Sequence, residues 1–150
     1  MKMLKVGDRV PDFISKDQDG TIIKFSDYLG AKLIIFFYPR ANTPGCTAEA
    51  CNLRDNYSDL KAKGYELLGV SEDSSKKQSN FKNKYDLPFP LLADEDHTVI
   101  NTFGVWGPKQ FMGREFNGLL RTTFMIDETG VIEKVIEKVK TKDHAAQLIG

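Results

Sequence analysis

Residues 32–46 read KLIIFFYPRANTPGC, and this stretch decides the fold. From Leu33 to Tyr38 it is continuously apolar, β-branched or aromatic. A strand with one solvated face would alternate, so the absence of alternation predicts a strand over Lys32 to Tyr38 buried on both faces, as at the centre of an α/β sheet. Pro39 ends it. After a polar loop, Thr43 suits the N-cap and Pro44 the first turn of a helix. Leu53, Tyr57 and Leu60 recur at helical spacing, and Gly64 offers a C-terminal stop, which predicts a helix over Pro44 to Lys63. A cysteine, Cys46, thus falls where a buried strand hands over to a helix.

Outward from this unit, Tyr65 to Val70 (YELLGV) reads as a second buried strand. Ser74 or Ser75 caps a polar helix whose inward positions are Phe81 and Tyr85, and Pro88 and Pro90 lead into Leu91 and Leu92. A short helix is predicted from about Asp96 to Phe103. The glycines, Trp106 and Pro108 of Gly104 to Gly118 read as an irregular loop. Leu119 to Ile126 and Val131 to Val139 flank Asp127-Glu128-Thr129-Gly130 as strand, turn, strand, and Thr141 caps a last helix ending at Gly150. Towards the N-terminus, short runs either side of Asp17-Gln18-Asp19-Gly20 predict a β-hairpin, with Ser26 capping a single turn to Leu29 and Gly30 stopping it. Strands alternating with helices need crossovers, while the closing hairpin adds antiparallel strands. The sheet is therefore mixed and covered by helices on both faces, a thioredoxin-like sandwich with an N-terminal β-hairpin extension.

The chain has 150 residues, enough for one core, and neither a repeat nor a low-complexity linker divides it, so a single domain over residues 1–150 is expected. Lys plus Arg and Asp plus Glu are 21 each, which leaves no global field for a polyanion and argues against a nucleic-acid partner. The N-terminus holds no signal-like apolar run, and no stretch approaches the ~20 apolar residues of a membrane span. The expectation is a cytoplasmic protein with no membrane partner.

Two cysteines, Cys46 and Cys51, are too few and too close for a disulfide scaffold. With Thr43 as N-cap, Cys46 lies in the first helical turn. There the unused backbone N–H groups and the macrodipole favour the thiolate, the nucleophilic form. The bland alternative, a buried filler, fits poorly with a polar loop at the carboxyl end of a buried strand, where ligands of α/β sheets gather. Five residues of ideal helix place the two Cα atoms roughly 8.6 Å apart, beyond the ~7 Å a disulfide tolerates. The two thiols therefore bond only if the helix start unwinds, and the chain has no CxxC for a thioredoxin-type exchange. Either one sulfur reacts in the folded state and the other arrives after local unfolding, or Cys51 is simply a buried apolar side chain on the helix. A metal site is disfavoured, since His97 and His144 stand in no ligand-like spacing; His97 is expected in a surface turn with Glu95 and Asp96, and His144 on an exposed last helix.

Thr43-Pro44-Gly45-Cys46-Thr47 after Phe36 to Pro39 resembles the active-site signature of peroxiredoxins. The run Glu49, Ala50, Cys51, Leu53, Arg54, Asp55 is similar to the Q-type, or bacterioferritin comigratory, branch. The likeness extends through Ser71-Glu72-Asp73, Leu91 to His97, Phe103 to Gly107 and Arg121 to Asp127, nearly the whole chain. The resemblance implies a peroxidatic Cys46, shielded from water by Pro39. Thr43 would hydrogen-bond the peroxide, and Arg121 would hold thiolate and peroxide with its planar donors. It implies Cys51 as the resolving cysteine, with an intramolecular disulfide reduced by thioredoxin or a similar dithiol. Hydrogen peroxide and alkyl hydroperoxides would be the substrates, with no cofactor, and the protein would be a monomer. Glu49 matches a position near the site, or is a solvated helix carboxylate. Trp106 and Phe111 line an entrance for organic hydroperoxides, or pack in the core. The last helix is shorter than the resemblance implies, so either the chain is cut short or that helix is marginal. Two other readings stay open: a thiol–disulfide oxidoreductase on the same fold, and a binding module with structural cysteines.

Overall fold

A computed structural model describes residues 2–149. Its centre is a five-stranded mixed sheet in the order β5-β4-β3-β8-β9. β3 (Lys32–Phe37), β4 (Tyr65–Ser71) and β5 (Leu91–Ala93) run parallel, while β8 (Thr122–Ile126) lies antiparallel to β3, and β9 (Ile132–Ile136) antiparallel to β8. Both faces of β3 are buried, and successive side chains enter two different cores. Leu33, Ile35 and Phe37 join Phe13, Phe25, Val99, Ile100 and Phe103 on one face. Ile34, Phe36 and Tyr38 join Cys46, Ala50, Leu53, Leu60, Phe81 and Leu148 on the other. Alternate residues of one strand thus nucleate both layers, which is why that run carried no polar positions.

The second core is covered by α1 (Pro44–Asp55), α2 (Tyr57–Ala62), α3 (Ser75–Lys84) and α5 (His144–Ile149). α4 (Thr98–Phe103) and the hairpin of β1 (Ile14–Lys16) and β2 (Ile22–Lys24) belong to the first. The mixed sheet, its two helical layers and the N-terminal hairpin agree with the architecture expected from the sequence. Ser74 caps α3, its side chain accepting from the Lys77 amide at 3.2 Å.

Four local expectations need correction. The helix predicted to run through Lys63 breaks at Asn56, whose side-chain amide donates to the Asn52 carbonyl at 2.8 Å and competes with the backbone ladder there. Ser26 lies inside a 3₁₀ turn, Phe25–Tyr28, rather than at its cap; its amide donates to Asp12. The stretch read as irregular is a second hairpin, β6 (Trp106–Phe111) paired with β7 (Arg114–Leu119). Met112 and Gly113 turn it with φ of 52° and 78°, the double positive φ that suits a two-residue hairpin loop. Much of β7 is exposed, so no hydrophobic alternation announced it. Finally, α5 starts at His144 rather than after Thr141. Asn52 of α1 does the capping from across the interface: its Oδ1 accepts from the Ala145 amide at 2.8 Å and its Nδ2 donates to the Lys142 carbonyl at 3.1 Å.

Candidate active site

The strand register assembles the site. β3 ends at Phe37, which pairs with Thr122 at the head of antiparallel β8. Arg121, one residue earlier, therefore stands beside Tyr38 and the loop that leads into α1. Asp73, two residues past the end of β4, holds that loop: its Oδ2 accepts from the Ala41 amide at 2.7 Å and from the Ser71 hydroxyl at 2.8 Å.

Thr43 is the N-cap of α1 in extended conformation and Pro44 the first helical residue, so Cys46 lies in the first turn. The Thr43 hydroxyl donates backward to the Arg40 carbonyl at 2.8 Å and leaves the helix without a side-chain cap. Unpaired first-turn amides are what an incoming anion or oxyanion seeks. Cys46 is buried, with 1% of its surface exposed. Arg121 forks between two partners: Nη2 donates to Cys46 Sγ at 3.2 Å, and Nη1 to Glu49 Oε1 at 2.6 Å. Glu49 reaches the same guanidinium because residues three apart share a helix face. A Cβ on Gly45 would stand 3.3 Å from Nη2, so glycine leaves the room for this approach.

Glu49 is fully buried, not a solvated helix carboxylate. Burial pushes its carboxyl up to about 7, against the pull of Arg121. Burial opposes the charge of Arg121, but Glu49 and Cys46 outweigh it and hold the guanidinium cationic. Its second oxygen, Oε2, has no hydrogen-bond partner and faces His144 Nε2 at 3.5 Å. His144, expected on an exposed helix, is fully buried, because α5 docks on α1 and β8; Nε2 lies 2.8 Å from the Thr123 hydroxyl. The spacing of His144 and Leu148, one helical turn apart and both inward, was the available signal. His97, by contrast, stays half-exposed, its ring against Trp106 and 3.1 Å from Glu72.

On the solvent side lie two clefts. One of about 370 Å³ is lined by Pro39, Thr43, Trp106, Lys109, Phe116 and their neighbours; one of about 360 Å³ is lined by Pro39, Lys109, Arg121, Thr122 and Glu137 among others. Pro39 and Lys109 border both, and burial lowers the Lys109 ammonium, with Arg121 adding to the effect. Hairpin β6–β7 supplies most of the first wall, which the sequence reading missed apart from Trp106. The Phe111 side chain lies outside the described residues. Cys51 is half-buried and reduced, and burial raises its thiol. Among the described residues no helix is long and apolar enough to cross a membrane, and no group of three His, Cys, Asp or Glu side chains forms a metal nest.

The sequence pattern of the AhpC/TSA family matches residues 6–135. The chain belongs to the AhpC/TSA family. It is a peroxiredoxin of the Bcp, or Q-type, branch and a thiol peroxidase. Peroxiredoxin Bcp of Escherichia coli (strain K12) is 48% identical over 144 residues, 96% of this chain and 92% of that protein. Among solved structures, peroxidoxin BcpB of Mycobacterium tuberculosis superposes with a TM-score of 0.85 at 36% identity, covering 97% of this peroxiredoxin and 94% of its own chain. The bacterioferritin comigratory protein of Xanthomonas campestris, described for its alkyl peroxide reduction activity, gives 0.85 at 31% identity over 91% and 87% of the two chains.

Proposed function

We propose that this peroxiredoxin reduces hydrogen peroxide and alkyl hydroperoxides at Cys46, with Cys51 as the resolving thiol and a thioredoxin-type dithiol as reductant. The observation that carries the assignment is the Arg121 fork, which spans Cys46 Sγ and Glu49 at the open first turn of α1. In this reading the Cys46 thiolate attacks the distal oxygen in line; an S–O bond forms, the O–O bond breaks, and the leaving alkoxide or hydroxide takes up a proton. Cys46 becomes a sulfenic acid and the peroxide is reduced to alcohol or water. Arg121, first-turn amides and the Thr43 hydroxyl, once swung from Arg40, stabilise charge on the two oxygens. Pro39 walls the sulfur from bulk water. The apolar lining of the first cleft, Trp106 and Phe116 with Leu119, suits the organic part of an alkyl hydroperoxide, in keeping with the activity named for the Xanthomonas relative.

Resolution follows when α1 unwinds. Cys51 attacks the sulfenic sulfur, water leaves, and an intramolecular disulfide forms. Unwinding also exposes Cys51 to water, which removes the burial that raises its thiol and so favours the attacking thiolate. Residues 1–150 act as one domain, and because both cysteines lie on one helix no second subunit is required; a cytoplasmic monomer is the corresponding assembly. Stopped-flow titration of the reduced protein with peroxide, followed by mass analysis of the peptide joining Cys46 and Cys51, tests this. One peroxide consumed per chain with loss of two thiols is expected. A slow reaction, or a disulfide only between chains, contradicts it.

A further inference from the structure

The site has a back wall that the peroxide never meets. Glu49 Oε2 is buried without a hydrogen-bond partner, 3.5 Å from His144 Nε2, and both residues are fully buried. The tautomer of His144 follows from its other side. Gln147 donates Nε2–H to the Lys138 carbonyl at 3.0 Å, and its Oε1 accepts from the Lys140 amide at 2.8 Å. That oxygen therefore faces His144 Nδ1, also at 2.8 Å, and it can only accept, so Nδ1 carries a hydrogen. In the neutral imidazole Nε2 then has one lone pair, which accepts from the Thr123 hydroxyl at 2.8 Å, and it has no hydrogen to give the carboxylate oxygen 3.5 Å away. Glu49 Oε2 is thus left in a dry interior without a donor, which is unfavourable unless the carboxyl or the imidazole takes up a proton.

Charge counting says when such a proton is bound. With Cys46 as thiolate and Glu49 ionised, two negative charges share the single positive charge of Arg121, and one bound proton neutralises the set. Once the thiolate has become a neutral sulfenic acid, the set is neutral without that proton. We propose that His144 is a positioning residue which, with Glu49 and the Thr123 hydroxyl, forms a buried seat for one proton behind Arg121, filled when Cys46 is a thiolate and emptied when the thiolate is spent. The proton that leaves the seat equals the one the departing alkoxide consumes, so the reaction of Cys46 with peroxide draws none from solvent. The groups facing the seat are Arg121 from the head of β8, Cys46 from α1, Thr123 from β8 and Gln147 from α5, with Lys109 and Glu137 on the solvent side of Arg121. The opposite titration tendencies agree: burial raises Glu49 to about 7 and lowers His144, which leaves a carboxyl able to donate and an imidazole able to accept.

The inference rests on Cys46 being the reactive thiolate, and the test separates the two. A pH indicator in weak buffer at neutral pH reports proton uptake as one equivalent of peroxide reacts, while ultraviolet absorbance confirms the thiolate beforehand. The wild-type protein is expected to take up no proton per peroxide. His144→Gln and Glu49→Gln, each still holding a thiolate, are expected to take up one. Uptake of one proton by the wild type, or of none by thiolate-holding variants, overturns the proposal, and a merely structural role of His144 would alter rates without altering this count. Should the variants not fold, nitrogen NMR of the wild type decides, since the chain has only two histidines. The His144 titration is expected to move to lower pH when Cys46 is alkylated with iodoacetamide, and an unmoved midpoint overturns the seat. That arm uses no peroxide, so it stands or falls apart from the peroxidase reading.

Discussion

The two cysteines of α1 sit five residues apart on one helix, yet their surroundings differ in almost every respect. Cys46 is in the first turn, buried, and touched by a guanidinium. Cys51 lies in the body of the same helix, half-buried, with burial raising its thiol and the charge of Arg54 pulling it down. In the proposed mechanism, helix position and a single cation are what separate a nucleophile ready in the folded state from a thiol held back until the fold opens. The clearest way to break this contrast is to remove each sulfur in turn. Cys46→Ser is expected to abolish peroxide consumption, measured by stopped flow. Cys51→Ser is expected to keep the first oxidation, with the sulfenic acid trapped by dimedone and seen by mass spectrometry, and to lose thioredoxin-driven turnover. Equal loss of the first oxidation in both variants would erase the distinction.

Next in size is the cation itself. Arg121→Ala removes a preorganised donor, and the second-order rate with peroxide is expected to fall by about 10²–10³-fold. Arg121→Lys should recover little of it, because a single ammonium does not reproduce the fork that spans Cys46 and Glu49. Full recovery by lysine would mean that net charge, not geometry, distinguishes Cys46 from Cys51.

Much of this arrangement was legible before the structure. The unbroken apolar run of β3, the Thr43–Pro44 helix start and the position of Cys46 come from local rules, and local rules placed them correctly. Arg121 was found only through the family signature, since nothing in its neighbours says that β8 pairs with β3 in the register that sets it beside Tyr38. His144 and Asn52 were missed for the same reason: their partners lie on other elements, and docking of α5, not its own composition, buries one and makes a cap of the other. Hairpin β6–β7 escaped because it is largely exposed, so its strands carry turn chemistry without a hydrophobic period.

A smaller effect separates the two buried ionisable groups behind Arg121. Glu49 has its carboxyl raised in the folded state, so it binds a proton that the unfolded chain has already lost; its contribution is favourable at low pH and is lost as pH rises from about 4.5 through about 7. The swing is about 3 kcal/mol at most. His144 has the opposite sign, since burial keeps it neutral while an unfolded histidine takes a proton, so its contribution is lost as pH falls below about 6.5. The two partly cancel in the wild type. Denaturant titrations are expected to show stability rising as pH falls from 7 towards 5 in His144→Gln, and falling over the same range in Glu49→Gln. Identical slopes in the two variants would contradict the assignment.

The smallest expected effect concerns Asn52, the neighbour of Cys51. Its side chain makes two hydrogen bonds to the start of α5, on the helix that carries His144. Asn52→Ala removes both, at an expected cost of about 1 to 2 kcal/mol. The loss should be local: amide exchange is expected to quicken in residues 144–149 and to stay slow in β3. Since Glu49 and Asn52 bracket Cys51, any unwinding of α1 that carries Cys51 to Cys46 must also release these two grips on α5 and on Arg121. The oxidised wild-type protein should therefore show the same exchange pattern in α5 as reduced Asn52→Ala. If α5 stays protected after oxidation, the helix opens without passing through Asn52, and the resolving movement is confined to the turns around Cys46.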